Sequence, residues 1–403
     1  MLRVPIELAK PKMPLALPVH HPDNPARVLL HAGTELTGRA IDRLSGQRVT
    51  EVWIAWPGLE FIRDYASPQL DLSHRSLTKN LGRVFDRVAD DAAAEADYSS
   101  LKQSIGSFME KLLESPRAAE FLSDLLGTES PLVRRSGAVC LMSLLMGLKL
   151  GGYLVRQRRR LSPRDATNIV NLGVGAMLHD IGMLHVEPAV AKKYYTDGDE
   201  SDPAFREHVE IGHHLVSGRV DPTASSGVLH HHQRYDGGGF PRICDDEVIY
   251  APCGRRGEAI HIFPRIIAAA DLFDRLRFGA EDAPIRPRVA ALRNMHAPEH
   301  SGRLDPIVLE GLIAVTPPYP VGSVVTLTTG DNAVVTKWSP RNPCRPEVRL
   351  IGGLDTAPED MTVGVTIDLS TRHDMSVAAA EGHSVINDNF TVSASDSFMA
   401  DAA

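Results

Sequence analysis

Cysteine is scarce in this chain. The 403 residues hold four, Cys140, Cys244, Cys253 and Cys344, scattered and without a CxxC pair. A disulfide framework or a thiolate zinc site is therefore not expected, and a reducing cytoplasm is the default setting. There is no surplus of positive charge either. The 43 Lys+Arg against 51 Asp+Glu give a net charge of −8, which leaves no global basic field to gather DNA, RNA or an anionic membrane. Long apolar runs are missing. The longest lies near Ala138–Met146 and is soon closed by Lys149, well short of the ~20 residues a spanning helix needs, so no membrane insertion is expected. The first residues, MLRVPIELAKPKMP, place Pro5, Lys10 and Pro11 where a signal peptide requires an unbroken apolar stretch. No internal repeat of solenoid period is present.

What is there suits a folded protein. Hydrophobic residues make up 43% and charged residues 23%, close to the globular average, and the length suggests two or three domains. Residues 1–60 read as a small mixed α/β module. VLLHAGTEL is strand-like and turns at Gly33, TGRAIDRLS is a short helix capped by Thr37, and TEVWIAW alternates as a strand does. Residues 61–305 read as helical. A helical pattern runs from about Leu81 to Leu126 and breaks near Ser115-Pro116 and Gly127. A more apolar helix opens at Ser130-Pro131, and a second buried helix covers SPRDATNIVNLGVGAMLHD with Ser162 as its cap. Further helices are expected in PAFREHVEIGHHLVSG and IFPRIIAAADLFDRL, on either side of a tight YDGGGFP turn. Residues 306–372 read as β-rich, with a hairpin in VGSVVTLT–TGDN–AVVTKW and more strands in EVRLI and VGVTIDL. Residues 373–403 are small and polar and read as a disordered tail. The fold class expected is mainly α, flanked by two small β-containing modules.

The chemistry sits in the histidines. Of 17 His, eight fall between His179 and His232. His179 is followed by Asp180; His208 lies one helix on, in HVEIG; His231-His232 precede the glycine turn; and Asp271 lies in the apolar segment IIAAADLFD. A carboxylate is costly to bury there unless a cation or a hydrogen bond receives it. Neighbours on a helix diverge by about 100°, so His179 and Asp180 reach one ion only if other helices bring further ligands to it. The mixed imidazole and carboxylate set suits Fe, Mn, Zn or similar ions better than a soft metal. His185, His213, His214 and His230 have no partner in this pattern and read as surface or core histidines, while His20, His21 and His31 lie in another module. The run Arg156–Arg160 reads as a solvated helix end, where cations suit the dipole.

The ordered series MLHDIGML, HVEIG, HHQRYDGGGFP and FPRIIAAADLFDRL, within about residues 131–276, resembles the HD-GYP branch of the HD phosphohydrolase superfamily. The resemblance implies a central helical HD-type domain that holds one or two divalent metal ions (Fe, Mn or similar) and hydrolyses the cyclic dinucleotide cyclic di-GMP. It implies that Asp180 bridges the metals and is the catalytic carboxylate, that His179 and Asp271 bind the first ion, and that His208, His231 and His232 bind the second. Two cations would lower the pKa of a bridging water and neutralise charge on the phosphoryl oxygens. Substrate would meet the turn at Asp236, Gly239, Phe240 and Pro241, its three glycines letting backbone come close and Phe240 taking the place of the family's Tyr beside a nucleobase.

The chain departs from that pattern in places. Arg135 falls where the family has a further metal-binding His, and a guanidinium has no lone pair to give. Pro131 stands where three-metal members carry a Glu, Met183 replaces a Lys and Gln233 a Glu, and Arg286-Pro287-Arg288 is only a loose echo of a later motif. Arg135 could instead clamp phosphate, and Lys192 or Lys193 could supply a substitute cation. Three readings follow: a metal-dependent cyclic di-GMP phosphodiesterase, an inactive signalling or nucleotide-binding module that keeps the fold, and a hydrolase for another nucleotide. A homodimer or a signalling protein partner is compatible with each.

Overall fold

The computed structural model describes residues 1–21, 27–47, 49–90, 97–115, 130–241, 255–280, 283–352 and 362–392. The expectations for Cys244, Cys253, Gly127, residues 116–126 and residues 393–403 lie outside these. A mostly helical centre is flanked by small N-terminal β elements and a C-terminal six-stranded antiparallel sheet.

The first residues form β1 (Leu2–Pro5), β2 (Val19–His20), β3 (Val28–Leu30), α1 (Gly38–Gly46) and β4 (Glu51–Ile54). The strand expected in VLLHAGTEL is therefore only three residues long, and Gly33 turns the chain with φ +81°. Thr37 caps α1 by accepting from the Ala40 amide, as its residue type predicts. β1 pairs antiparallel with β4, and β2 with β3.

The helical centre comprises α2 (Pro68–Asp90), α3 (Tyr98–Glu114), α4 (Pro131–Lys149), α5 (Gly151–Gln157), α6 (Val170–Leu178), α7 (Pro188–Asp197), α8 (His208–Val216), α9 (Pro222–His230), α10 (Ile262–Phe278), α11 (Arg288–Met295) and α12 (Pro306–Val315). Ser130 accepts from the Val133 amide, with Pro131 in the first turn of α4. By length and composition α4 is apolar enough to cross a membrane. Here that composition has another cause: the helix is the axle of the core, buried from Arg135 through Gly147 and packed against α2, α6, α10 and α12. The single buried helix expected after Ser162 is instead two pieces. Ser162 caps one turn, Pro163–Ala166, and Asn168 then accepts from the Val170 amide to start α6. The basic run is not simply solvated: Arg158 donates to the carbonyls of Asp165, Ala166 and Asn168 at that break.

β5 (Val324–Leu327), β6 (Asn332–Lys337), β7 (Glu347–Ile351), β8 (Val363–Asp368), β9 (Val377–Ala380) and β10 (His383–Ser384) form the sheet, in the order β10-β9-β5-β6-β7-β8. Two boundaries differ from the sequence expectation. Residues 306–315, placed there with the β-rich part, are a helix whose Val308, Leu312 and Ile313 belong to the helical core. Residues 377–392 are not a tail. Val377, Ala380 and Val385 are buried, and the Asn389 amide donates to the carbonyls of Val377 and Val385. Short side chains read as disorder because they bring no hydrophobic signal of their own; they fit here because β9 lies between β5 and β10.

The N-terminal elements and the C-terminal sheet share one apolar core, in which Leu2, Val52, Ile54 and Trp56 meet Val325, Val335, Val348 and Val377. Trp56 Nε1 donates to the Thr362 carbonyl, and Arg349 to that of Gly58. The helical domain is thus inserted into a β unit built from both flanks of the chain.

Candidate metal centre

Three helix ends and one helix side supply the residues predicted from sequence. α6 ends at Leu178, and His179 is its C-cap. Asp180 leaves the helix at φ −100°, ψ 15°, opening the tight turn Ile181–His185. The 100° divergence expected of helical neighbours therefore does not apply, and both side chains point to one place. His231 and His232 likewise follow the end of α9, and His208 opens α8 directly after the single turn Pro203–Arg206. Asp271 projects from the middle of α10.

The last carbonyls of a helix lack intrahelical partners, and three of the histidines use them. Nδ1 of His179 donates to Ala176 at 2.8 Å, that of His231 to Val228 at 2.8 Å, and that of His208 to Phe205. A carbonyl can only accept, so each Nδ1 carries the proton, each Nε2 faces inward, and the neutral His208 and His231 rings present a lone pair there. The results are two donor sets sharing Asp180. In one, His208 Nε2 and His231 Nε2 lie 3.3 Å apart, each 3.5 Å from Asp180 Oδ1, and His232 completes a buried group of four. In the other, His179 Nε2 is 3.3 Å from Asp180 Oδ2 and 3.6 Å from Asp271 Oδ1.

These residues fit a divalent ion. Two neutral imidazoles facing each other lone pair to lone pair repel unless a cation lies between them. The 3.3–3.5 Å separations also match the ~3.4 Å edge of a tetrahedron of donors about 2.1 Å from a common centre. Metal ligands must be deprotonated, and the pKa shifts agree for this set. Burial lowers His208 to about 3; burial and the neighbouring His232 lower His231 to about 4. Burial would raise Asp180, but His179 and the other imidazoles hold it well below the usual carboxylate range. The second set differs. Burial opposes a charge on His179, yet Asp180 and Asp271 outweigh it and push the ring up to about 10. Asp271, which burial would raise, is held low by His179 and Arg135.

The Arg135 guanidinium lies beside this second set. Its Nη1 is 3.3 Å from Asp271 Oδ1, its Nε is 3.7 Å from Asp274 Oδ2, and the Tyr195 ring covers it at 4.1 Å. The other family positions that differ are filled structurally. Met183 packs into an apolar cluster with Tyr194, Phe205, Val209 and Phe240, and the Gln233 amide donates to the Pro241 carbonyl.

The expected substrate-binding residues are not all assembled. Phe240 stacks on the His232 ring, with centroids 4.6 Å apart and planes 14° from parallel. It also walls a cavity of about 490 Å³ together with Glu200, Arg206, Arg234, Gly239 and Arg303. Pro241 lines that cavity; Lys193 and Asp236 do not. Lys193 is exposed and pairs with Asp199 at 2.9 Å, and Asp236 is exposed and accepts from the Gly238 amide. Gly239 is needed for a contact other than the one expected. A Cβ there would lie 2.1 Å from the His232 carbonyl oxygen and 2.5 Å from the Arg234 nitrogen, so the turn folds against its own backbone. His185 and His214 are exposed, and His230 bonds Ser226 at 3.0 Å, so these three stay outside the site.

Sequence reasoning missed four residues. Tyr194 donates to Asp271 Oδ2 at 3.3 Å and Tyr195 to Asp180 Oδ2 at 3.5 Å. Glu200 lies 3.6 Å from His232 Nδ1; burial would raise its pKa, but His232 draws it down to about 2. Asp274 takes a bidentate pair from Arg134 at 3.1 and 3.2 Å. Only Asp274 carried a signal, its i+3 spacing from Asp271. The tyrosines and Glu200 sit in the acidic stretch YYTDGDESD, whose composition does not single them out.

Residues 122–308 match the HD domain family. The chain is 26% identical over 264 residues to a cyclic di-GMP phosphodiesterase of Pseudomonas aeruginosa, covering 63% of this chain and 56% of the relative. It is 29% identical over 231 residues to a cyclic di-GMP phosphodiesterase response regulator of Xanthomonas campestris, covering 53% of each. The chain thus spans about half the length of these curated relatives. A solved structure of an HDG"Y"P protein from Bdellovibrio bacteriovorus superposes with a TM-score of 0.45 at 16% identity, covering 77% of this chain and 97% of the other.

Proposed function

From the premise that this chain carries an HD domain distantly homologous to HD-GYP cyclic di-GMP phosphodiesterases, we propose that it is a metal-dependent phosphodiesterase acting on cyclic di-GMP in the cytoplasm. The observation that carries this reading is the convergence of the His208 and His231 Nε2 atoms on Asp180 Oδ1. A divalent ion held by Asp180, His208, His231 and His232 would supply a water of lowered pKa and withdraw charge from a phosphoryl oxygen. The chain's own groups do the rest. Helix-end carbonyls fix the imidazoles, the Tyr195 hydroxyl holds the far oxygen of Asp180, and Glu200 orients His232. Arg206, Arg234 and Arg303 line the adjoining cavity, and guanidinium groups suit phosphate oxygens. In-line attack of that water on one phosphodiester phosphorus would form a new P–O bond and break the opposite ester P–O bond, the departing sugar oxygen taking up a proton, and so open the ring to the linear dinucleotide.

One observation favours a second reading, in which nucleotide is bound and not turned over: the grip of Arg135 on Asp271. The deciding experiment incubates chelator-stripped protein, reloaded with Mn(II) or Fe(II), with cyclic di-GMP and follows the nucleotide by chromatography. Linear product is expected, with Asp180→Asn and His208→Ala slower by roughly a hundredfold or more, as when one member of a concerted site is removed. Calorimetric binding without product would transfer the assignment to the second reading. Neither binding nor product would end both.

A further inference from the structure

The two donor sets are not equivalent, and Arg135 is the reason. The guanidinium is buried, with 3% of its side chain exposed. Asp271 holds it on one side and Asp274 on the other, under the Tyr195 ring. Nothing in this packing lets it swing away, and no pH at which proteins fold removes its charge. The same Asp271 oxygen that faces His179 also faces this cation at 3.3 Å, so an ion on the second set would share its carboxylate with a permanent positive charge.

A charge count points the same way. Around the second set, with His179 neutral as a metal ligand must be, Asp180, Asp271 and Asp274 bring three negative charges, and Arg134 and Arg135 bring two positive ones. One divalent ion turns the excess of one negative charge into an excess of one positive; two divalent ions leave an excess of three positive in a buried space. A low-dielectric interior penalises an uncompensated charge steeply. The set made by Asp180, His208, His231 and His232 contains no such cation and offers four ligands.

We propose that this protein binds a single divalent ion, on Asp180, His208, His231 and His232, and that the Arg135 guanidinium takes the charge-balancing place of a second. The proposal rests on the metal reading above and deepens it. Asp271 and His179 then position Arg135 and Asp180 and are not ligands themselves.

The test is stoichiometry on the full chain. Chelator-stripped protein is dialysed against Mn(II), bound metal is measured by mass spectrometry, and the Mn(II) spin-resonance spectrum is recorded. One equivalent with the signal of an isolated ion is expected; two equivalents, or a coupled-pair spectrum, would overturn the proposal while leaving the metal reading in place. No bound metal would sink the metal reading itself. Arg135→His is expected to gain a second equivalent and Arg135→Lys to stay at one. A folded Arg135→His that stays at one would show that Arg135 is not what excludes the second ion. Should that variant fail to fold, Asp271→Asn decides: it keeps the single equivalent if Asp271 is no ligand, and loses metal if it is.

Discussion

His74 shows at the scale of one residue how burial sets a charge state. It is 5% exposed, lies 5.5 Å from the Phe108 ring and has the Gly137 carbonyl at 3.5 Å. Burial lowers its pKa to about 4 from 6.5. A histidine whose folded pKa is depressed binds fewer protons folded than unfolded, so its stabilising share is whole above pH 6.5 and is lost as the pH falls towards 4. His74→Gln is expected to be less stable than the parent at pH 7, with the gap narrowing by about 2 kcal/mol at pH 5. Denaturant melts at the two pH values check this, and a gap of unchanged size would contradict the assignment. The same scale shows what sequence could reveal of the site. His179, Asp180, His208, His231, His232 and Asp271 were legible because imidazoles and a carboxylate in apolar helices need a common partner. Tyr194, Tyr195 and Glu200 were not, since nothing in YYTDGDESD distinguishes the three side chains that turn inward from those that stay in water.

Elements succeed or fail at their ends. Ser130-Pro131 and Ser162-Pro163 marked helix starts because the serine hydroxyls accept from free amides and proline suits the first turn. The break between Ala166 and Val170 was not legible. Asn168 can cap either a new helix or a turn, and Arg158, distant in pattern, settles it by capturing three carbonyls. The contact of α8 with the turn after Asp180 is equally specific. A Cβ on Gly182 would sit 2.0 Å from the His208 carbonyl oxygen and 2.7 Å from the Gly212 nitrogen, both backbone atoms that cannot rotate away. Gly182→Ala must therefore push α8 and His208 outward. The expected result is Mn(II) binding weakened by at least tenfold and a lower Tm, measured by dialysis and thermal melting. Retention of both would mean that α8 is not held by this contact.

For the whole molecule, the sequence made the helical centre and the two flanking β parts legible, but not that those parts share one core. Hydrophobic periodicity reports which face of an element is buried, not which distant element buries it. Leu2 and Val325 therefore looked like members of separate modules although they share one core. The helical centre has its own long-range clamp: Asp305 accepts from both Tyr153 and Arg265, and Arg265 also reaches Gln157. Asp305→Asn leaves the Arg265 charge without its partner in the interior, at a cost of about 3–5 kcal/mol. Denaturant unfolding followed by circular dichroism measures this, and a loss below 1 kcal/mol would show the pair to be dispensable.

The insertion of the helices between two halves of one β unit has a consequence for synthesis. A ribosome releases residues 1–62 first, yet the strands that complete their core come from residues 324–385. The opening segment must wait through more than two hundred residues of translation, while the helices, whose contacts are closer in sequence, can fold at once. In a growing chain the buried His/Asp cluster would be assembled before the strands that precede it have found their partners.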